Sequence, residues 1–310
     1  MTDFSHEPVM PDVVVAHLNA TTCRRIIDGT LGGGGHARCL LEASASSELL
    51  GIDQDEAAIE AAGRNLAAFG DRVHIRRGPF SQMAEFAEEL GWDSVDGILL
   101  DVGVSSHQID TPTRGFSHRA DGPLDMRMDR RSPVTAATIL NHESEANLTR
   151  IFRDYGEERQ ARRIARAVVR RRQEKPWERT GELAELLEKV LGPSRPGSLP
   201  VSTLPFQALR IAVNEELEEL EDALIAAADL LAVGGRLVVI AFHSLEDRMV
   251  KQFFRRAEAT CVCPPDFPVC RCGKTATLRV VTRKPDRASE TERAVNRRAA
   301  SARLRAAEKL

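Results

Sequence analysis

The first hundred residues alternate short apolar runs with longer amphipathic ones. Arg25-Ile26-Ile27-Asp28, Leu49-Leu50-Gly51-Ile52-Asp53, Val73-His74-Ile75 and Val95-Asp96-Gly97-Ile98-Leu99-Leu100-Asp101 read as strands. Between them His36-Ala37 opens a helix, Asp55 to Ala68 is Ala-rich with helical spacing, and Pro79 to Leu90 reads as a helix. Strands alternating with helices at this spacing predict an α/β fold with a parallel, Rossmann-like sheet. From about Pro133 to Pro205 the alternation stops, which predicts a helical subdomain inserted between the fourth and fifth strands. The sheet domain would then be 1–132 with 206–310, and the insertion 133–205. A long helix is expected over Phe206 to Leu231, a turn at Gly234-Gly235 and a strand over Arg236 to Phe242. Thr277 to Thr282 and Ala302 to Arg305 are candidate closing strands.

In a parallel sheet, ligands sit beyond the carboxyl ends of the strands. Asp28, the glycine-rich stretch Gly29 to Gly35, Asp53 and Asp101 all fall at that edge. A glycine turn lets a ligand approach the backbone, and many nucleotide folds use one. A carboxylate ending the next strand, Asp53, suits the ribose hydroxyls of an adenosine. Both features fit a nicotinamide oxidoreductase as well as a methyltransferase. Asp28, beside the glycines, separates the two: it would repel a pyrophosphate, whereas a sulfonium and an ammonium favour nearby carboxylates. Asp28 as a turn cap is the structural alternative.

Charge changes the picture further. The net charge is only −3, yet Arg150 to Lys175 carries ten Lys/Arg against four Asp/Glu, and Lys274 to Leu310 eleven against four. Two basic regions on an acidic body suggest contact with a polyanion. Within the first, Arg159, Arg162, Arg163, Arg166 and Arg170 form one stripe of a helix expected over Glu158 to Arg172, with Ala161, Ile164, Ala165 and Val168 opposite. Such a stripe can track phosphates; the alternative is a solvated face paired with Glu157, Glu158 and Glu174.

No apolar run approaches the roughly 20 residues that span a bilayer, and the first residues lack a basic start with a long apolar stretch. A cytoplasmic protein without membrane partners is expected, with its cysteines reduced. Cys261-x-Cys263 and Cys270-x-Cys272 flank Pro264-Pro265. Four thiolates so close suit zinc, but each pair is separated by one residue rather than the usual two to four, and no metal ligand is assigned.

Ordered motifs along the chain carry a family resemblance. They are His6-Glu7-Pro8-Val9, Asp28-Gly29-Thr30-Leu31-Gly32 with Gly34-Gly35-His36, Gly78-Pro79-Phe80, Asp96 to Ser106 with Gln108, and Arg114-Gly115-Phe116-Ser117. Asp121-Gly122-Pro123-Leu124-Asp125-Met126-Arg127-Met128-Asp129 is the most distinctive. Tyr155 to Arg159, Phe206 to Ile211 with Val213-Asn214, and Phe242 to Arg248 complete the set. The chain resembles the bacterial RsmH (MraW) methyltransferases over nearly its whole length. The resemblance implies a class I S-adenosylmethionine-dependent methyltransferase sheet, S-adenosylmethionine as cofactor, and methylation of a cytidine N4 in 16S rRNA of the small ribosomal subunit. It implies RNA rather than DNA as partner.

By resemblance, the cofactor contacts fall on Gly34, Gly35, His36, Asp53, Phe80, Asp101 and Gln108. Phe80 would pack on the adenine face, or else be a core aromatic. Asp101, with carbonyls of Val102 to Val104, is the expected acceptor for the cytosine amino group. That group is a poor nucleophile because its lone pair is delocalised into the ring. His243 is the expected proton acceptor or base contact, or else a structural histidine at a strand end. A base in a duplex must flip out to be reached. The chain departs from the family at Leu199 to Pro205, where the family usually has a basic His-Pro run, and at Asn296-Arg297-Arg298-Ala299-Ala300-Ser301.

Overall fold

The computed structural model describes residues 8–194, 197, 199–264 and 271–310. Two compact units emerge, Met1–Gly103 with Leu217–Leu310, and Val104–Glu216.

The first unit holds β1 (Arg25–Asp28), β2 (Glu48–Asp53), β3 (Val73–Arg77), β4 (Val95–Asp101), β5 (Leu231–Ala241), β6 (Leu278–Val280) and β7 (Arg303–Lys309). They form one sheet in the order β3-β2-β1-β4-β5-β7-β6. The first five strands run parallel, and β7 enters antiparallel between β5 and β6. The parallel strands and the closing antiparallel pair of β6 and β7 agree with the pattern that the sequence predicts.

Successive residues of a strand point to opposite faces. One face therefore carries Ile27, Leu50, Ile52, Ile98, Leu100, Leu237 and Val239, packed with Met83, Leu220, Leu224 and Phe254. The other carries Ile26, Leu49, Leu99, Val238 and Ile240, packed with Val14, Leu18, Leu40 and Leu41. Burial on both faces is why these strands read as near-continuous apolar runs. Each fully buried Leu or Ile contributes about 1.5–3 kcal/mol. The flanking helices keep their predicted places: Gly35–Ala43, Glu56–Asn65 capped by Asp55, and Met83–Glu89 after a short 3-10 turn at Phe80–Gln82.

Two predicted elements differ. The strand β5 runs through Gly234-Gly235, but its pairing with β4 slips there, from Val95↔Leu231 to Gly97↔Arg236. The helix expected over Phe206 to Leu231 is two helices, Thr203–Asn214 and Glu216–Leu230. Glu215 stands between them at φ 50°. Asn214 explains the break: its side chain accepts from Met128 N–H and donates to the Met126 and Arg210 carbonyls. Arg210 then pairs with Glu216 across the break at 2.7 and 2.8 Å.

The second unit has its own core, including Leu124, Met126, Leu140, Phe152, Ile164, Trp177, Leu183, Phe206 and Leu209. The helical block expected over 133–205 lies inside it, together with 104–132 and 206–216. Residues 112–128 belong here because their backbone is locked locally. A side chain on Gly115 would sit 2.1 Å from the Pro123 oxygen, and one on Gly122 1.9 Å from the Pro112 oxygen. Buried Arg114 donates to the Arg127 and Met128 carbonyls.

The acids of the 121–129 run hold this segment. Asp121 accepts from Arg179 and Gly181 N–H, and Asp129 pairs with Arg131. Burial works to raise the Asp125 carboxyl; the bonds from Arg127 outweigh it and hold the group below the usual range.

Candidate cofactor site

The sheet's carboxyl edge assembles most of the candidate residues. Between β1 and the helix Gly35–Ala43 the chain must turn tightly, and Gly32 (φ 53°) and Gly34 (φ 83°) take left-handed conformations to do so. At Gly34 a side chain would be both strained and 3.0 Å from Leu66 Cγ. At Gly29 a Cβ would lie 2.6 Å from Leu100 and 3.1 Å from Phe80 Cβ, so its absence lets Phe80 come alongside the loop. Ser81, next to Phe80, donates its N–H and hydroxyl to Glu219 at 2.7 and 2.9 Å, which pins that turn. Phe80 is half-buried and packs against the core.

Three carboxylates gather at this edge. Asp53 accepts from Gly32 N–H and from Asp55 N–H, both at 2.8 Å, one on each oxygen. Gln54 N–H is a third backbone donor to this carboxylate, whose roughly four lone-pair sites leave room to accept a ribose hydroxyl. Asp28 is fully buried, and its Oδ1 accepts from Thr30 N–H at 3.2 Å. Among the described residues its Oδ2 has no hydrogen-bond partner, and neither has Asp101 Oδ1. Burial pushes Asp28 and Asp53 up to about 6, because desolvation disfavours their charged forms.

Asp101 is buried at the end of β4, and its N–H donates to Thr30 Oγ1 at 2.6 Å. His36 Nδ1 and Arg298 Nη2 each lie 3.8 Å from Asp101 Oδ2. His36 Nε2 is 2.8 Å from the Val9 carbonyl oxygen. A carbonyl only accepts, so Nε2 carries a proton and Nδ1 is the nitrogen turned toward Asp101. Arg298 is an addition to the site that the sequence pattern does not single out. Its guanidinium stacks 4.7 Å from the Phe242 ring centroid, and the sequence signals it only through the basic terminal segment and the 296–301 stretch that departs from the family pattern.

The remaining candidates sit differently. His243 caps the helix Ser244–Glu258, its Nδ1 accepting from Glu246 N–H and its Nε2 lying 2.9 Å from Glu246 Oε1. Glu246 in turn accepts from the Phe242 and His243 N–H groups. Gln108 belongs to the second unit, where it closes the capping box of the helix Ser106–Asp110 with Ser105. His6, Glu7 and Cys270 lie outside the described residues.

In the second unit the arginine helix runs Ala161–Arg172, with Ala161, Ile164, Ala165 and Val168 buried as the spacing predicts. Arg159, Arg162, Arg163, Arg166 and Arg170 are exposed. Four of them, with Gln160, line a shallow cleft of about 400 Å³. Arg171 and Arg172 are spent internally, on the Trp177 ring and on the Leu140 and Glu143 carbonyls.

Residues 3–310 match the family described as the MraW methylase family. A protein of Carboxydothermus hydrogenoformans named Ribosomal RNA small subunit methyltransferase H is 51% identical over 309 residues, 99% of each chain. One of the same name from Geotalea uraniireducens is 51% identical over 315 residues, covering all of both. A third, from Heliobacterium modesticaldum, is 50% identical over 311 residues and 99% of each chain. Solved structures are more distant. A putative rRNA-methylase from Clostridium thermocellum is 12% identical with a TM-score of 0.42 over 95% of each chain, too loose a likeness to bear on the fold.

Proposed function

Since the chain belongs to the MraW methylase family, we propose that it transfers the methyl group of S-adenosylmethionine to the N4 amino group of a cytidine in small-subunit (16S) ribosomal RNA. The observation that carries the cofactor assignment is the pair of buried carboxylate oxygens beside the glycine turn, Asp28 Oδ2 and Asp101 Oδ1, that lack hydrogen-bond partners among the described residues. Such atoms are costly unless a donor or cation meets them. A pyrophosphate would be repelled there; an ammonium or sulfonium fits. When bound, S-adenosylmethionine supplies a methyl group made electrophilic by its sulfonium.

The chain's residues supply the rest. Gly34 and Gly35 admit the cofactor close to the backbone, Asp53 holds the ribose, and Phe80 packs on the adenine. His36 and Arg298 flank Asp101 Oδ2, each at 3.8 Å, and the Arg298 guanidinium sets an opposite charge beside the carboxylate. Asp101, with the carbonyls of Val102 and Gly103, accepts hydrogen bonds from the cytosine amino group. Those bonds return electron density to the nitrogen and align it for in-line transfer; positioning of this kind is worth about 7–11 kcal/mol. The engagement of His243 with Glu246 favours a positioning role for it over proton transfer. The exposed arginines of Ala161–Arg172 supply phosphate contacts for the RNA. Among the described residues no helix is long and apolar enough to cross a membrane, and a ribosomal substrate puts the reaction in the cytoplasm.

The test is transfer of labelled methyl from S-adenosylmethionine to small ribosomal subunits lacking the modification, with the product nucleoside identified. N4-methylated cytidine is expected, and Asp101→Ala should abolish its formation. Normal turnover by Asp101→Ala would remove Asp101 from the mechanism. No transfer by the intact chain, with cofactor bound, would move the substrate elsewhere and direct attention to the unusual 199–205 stretch.

A further inference from the structure

Beyond the cofactor edge, three thiols converge. The chain leaves the helix Ser244–Glu258 and returns in β6, and the base of this excursion is closed by Thr277 N–H donating to the Ala257 carbonyl at 2.9 Å. Within it, the Sγ atoms of Cys261, Cys263 and Cys272 all lie within 4.8 Å of one another. Those of Cys261 and Cys272 are 3.9 Å apart. A disulfide requires about 2.0 Å. Tetrahedral zinc with Zn–S bonds of about 2.3 Å separates its sulfurs by roughly 3.8 Å. The 3.9 Å separation, at which Cys272 Sγ donates to Cys261 Sγ, excludes a disulfide and is also the spacing that a tetrahedral zinc needs.

The backbone supports the same reading. Val262 N–H donates to Cys272 Sγ and Cys263 N–H to Cys261 Sγ, both at 3.4 Å. Amide donors aimed at sulfur are the outer hydrogen bonds that orient a metal-binding side chain. The one-residue spacing of Cys261 and Cys263 ceases to be an obstacle, because Val262 between them turns its N–H inward to Cys272 while its side chain is 64% exposed. No large apolar side chain of this described segment is buried, so hydrophobic packing does not order it.

We propose that Cys261, Cys263 and Cys272 bind a thiophilic divalent cation, zinc foremost, as three thiolates, with another donor completing the tetrahedron. Each thiol gives up its proton as its sulfur–metal bond forms, so three protons are released per ion bound. The role is structural. The cysteines follow the far end of a 15-residue helix, about 22 Å long, whose first turn is at His243 beside the carboxyl edge. The ion would cross-link Cys261 and Cys263 to Cys272, whose described neighbours bury no large apolar side chain.

Full-length protein prepared under reducing conditions with zinc, then gel-filtered, should carry about one zinc per chain by mass spectrometry. Replacing zinc with cobalt should give the thiolate-to-cobalt charge-transfer band and the intense visible bands of a tetrahedral site. Zinc should also slow the reaction of these cysteines with a thiol reagent. Cys261→Ser/Cys272→Ser should reduce bound metal to background while S-adenosylmethionine binding persists. The proposal is overturned by a cobalt titration of the intact protein without a charge-transfer band, by thiol reactivity indifferent to zinc, or by unchanged metal in the double variant. The cobalt and thiol readouts use the unaltered chain, so a variant that misfolds does not weaken the test.

Discussion

Asp28→Asn isolates the electrostatic cost of the buried carboxylate beside the glycine turn. In the folded chain burial raises the Asp28 carboxyl from 3.8 to about 6. At 1.36 kcal/mol per unit, holding it ionised costs about 3 kcal/mol. The folded state keeps its proton up to about pH 6, and the unfolded state only to about 3.8. Stability is therefore fully present below the unfolded value and is lost as pH rises through that window. Asparagine retains the acceptor for Thr30 N–H, seen at 3.2 Å. It also places an amide where Asp28 Oδ2 has no partner among the described residues, a cost of about 1–3 kcal/mol that does not vary with pH. The discriminating quantity is thus a double difference. Urea denaturation of unliganded protein and variant at about pH 4 and about pH 7.5 should show the variant gaining about 2 kcal/mol relative to the parent between the two. A relative stability that is flat, or that falls, with rising pH would refute the desolvation argument.

Other outcomes follow from the same geometry. A cationic cofactor favours ionised Asp28 and Asp53, both near 6, so affinity for S-adenosylmethionine should fall as pH drops through about 6, with proton release on binding. Calorimetry in buffers of different ionisation enthalpy checks this, and a flat profile with no proton release counts against a cation at that edge. Gly34→Ala forces a side chain into φ 83° and against Leu66, so melting should show a loss of about 1–2 kcal/mol together with weaker cofactor binding; a silent substitution would contradict the role of the turn. Replacing Arg159, Arg162, Arg163 and Arg166 with Gln should weaken RNA binding, lower its log–log salt slope by about 0.7 for each single-strand phosphate no longer neutralised, and leave cofactor binding intact. An unchanged slope would return the stripe to an ordinary solvated face.

Much of the fold is legible in the sequence because parallel strands covered on both faces leave apolar runs that no other element needs. Ile26-Ile27, Leu49-Leu50 and Ile98-Leu99-Leu100 divide their side chains between two cores, and a run of that kind bounded by glycine reads as strand. The cofactor edge is legible for a related reason: Asp28, Asp53 and Asp101 each end such a run. The arginine helix declares itself through spacing alone, since one turn of helix sets which residues share a face.

What the spacing does not reveal depends on partners distant in the chain. The break at Glu215 follows from Asn214 engaging Met126 and Met128, 88 and 86 positions earlier. Arg298 approaches Asp101 in the folded unit although almost two hundred residues separate them. The raised carboxyls at Asp28 and Asp53 exist only because the closed structure removes water from them. The cysteines show the limit most clearly: their separations along the chain argue against a metal, while the folded chain brings the sulfurs of Cys261, Cys263 and Cys272 within 4.8 Å of one another. Periodicity and turn chemistry act over a few residues and are carried by the chain itself. Desolvation and long-range side-chain pairing arise only once distant segments have been packed together.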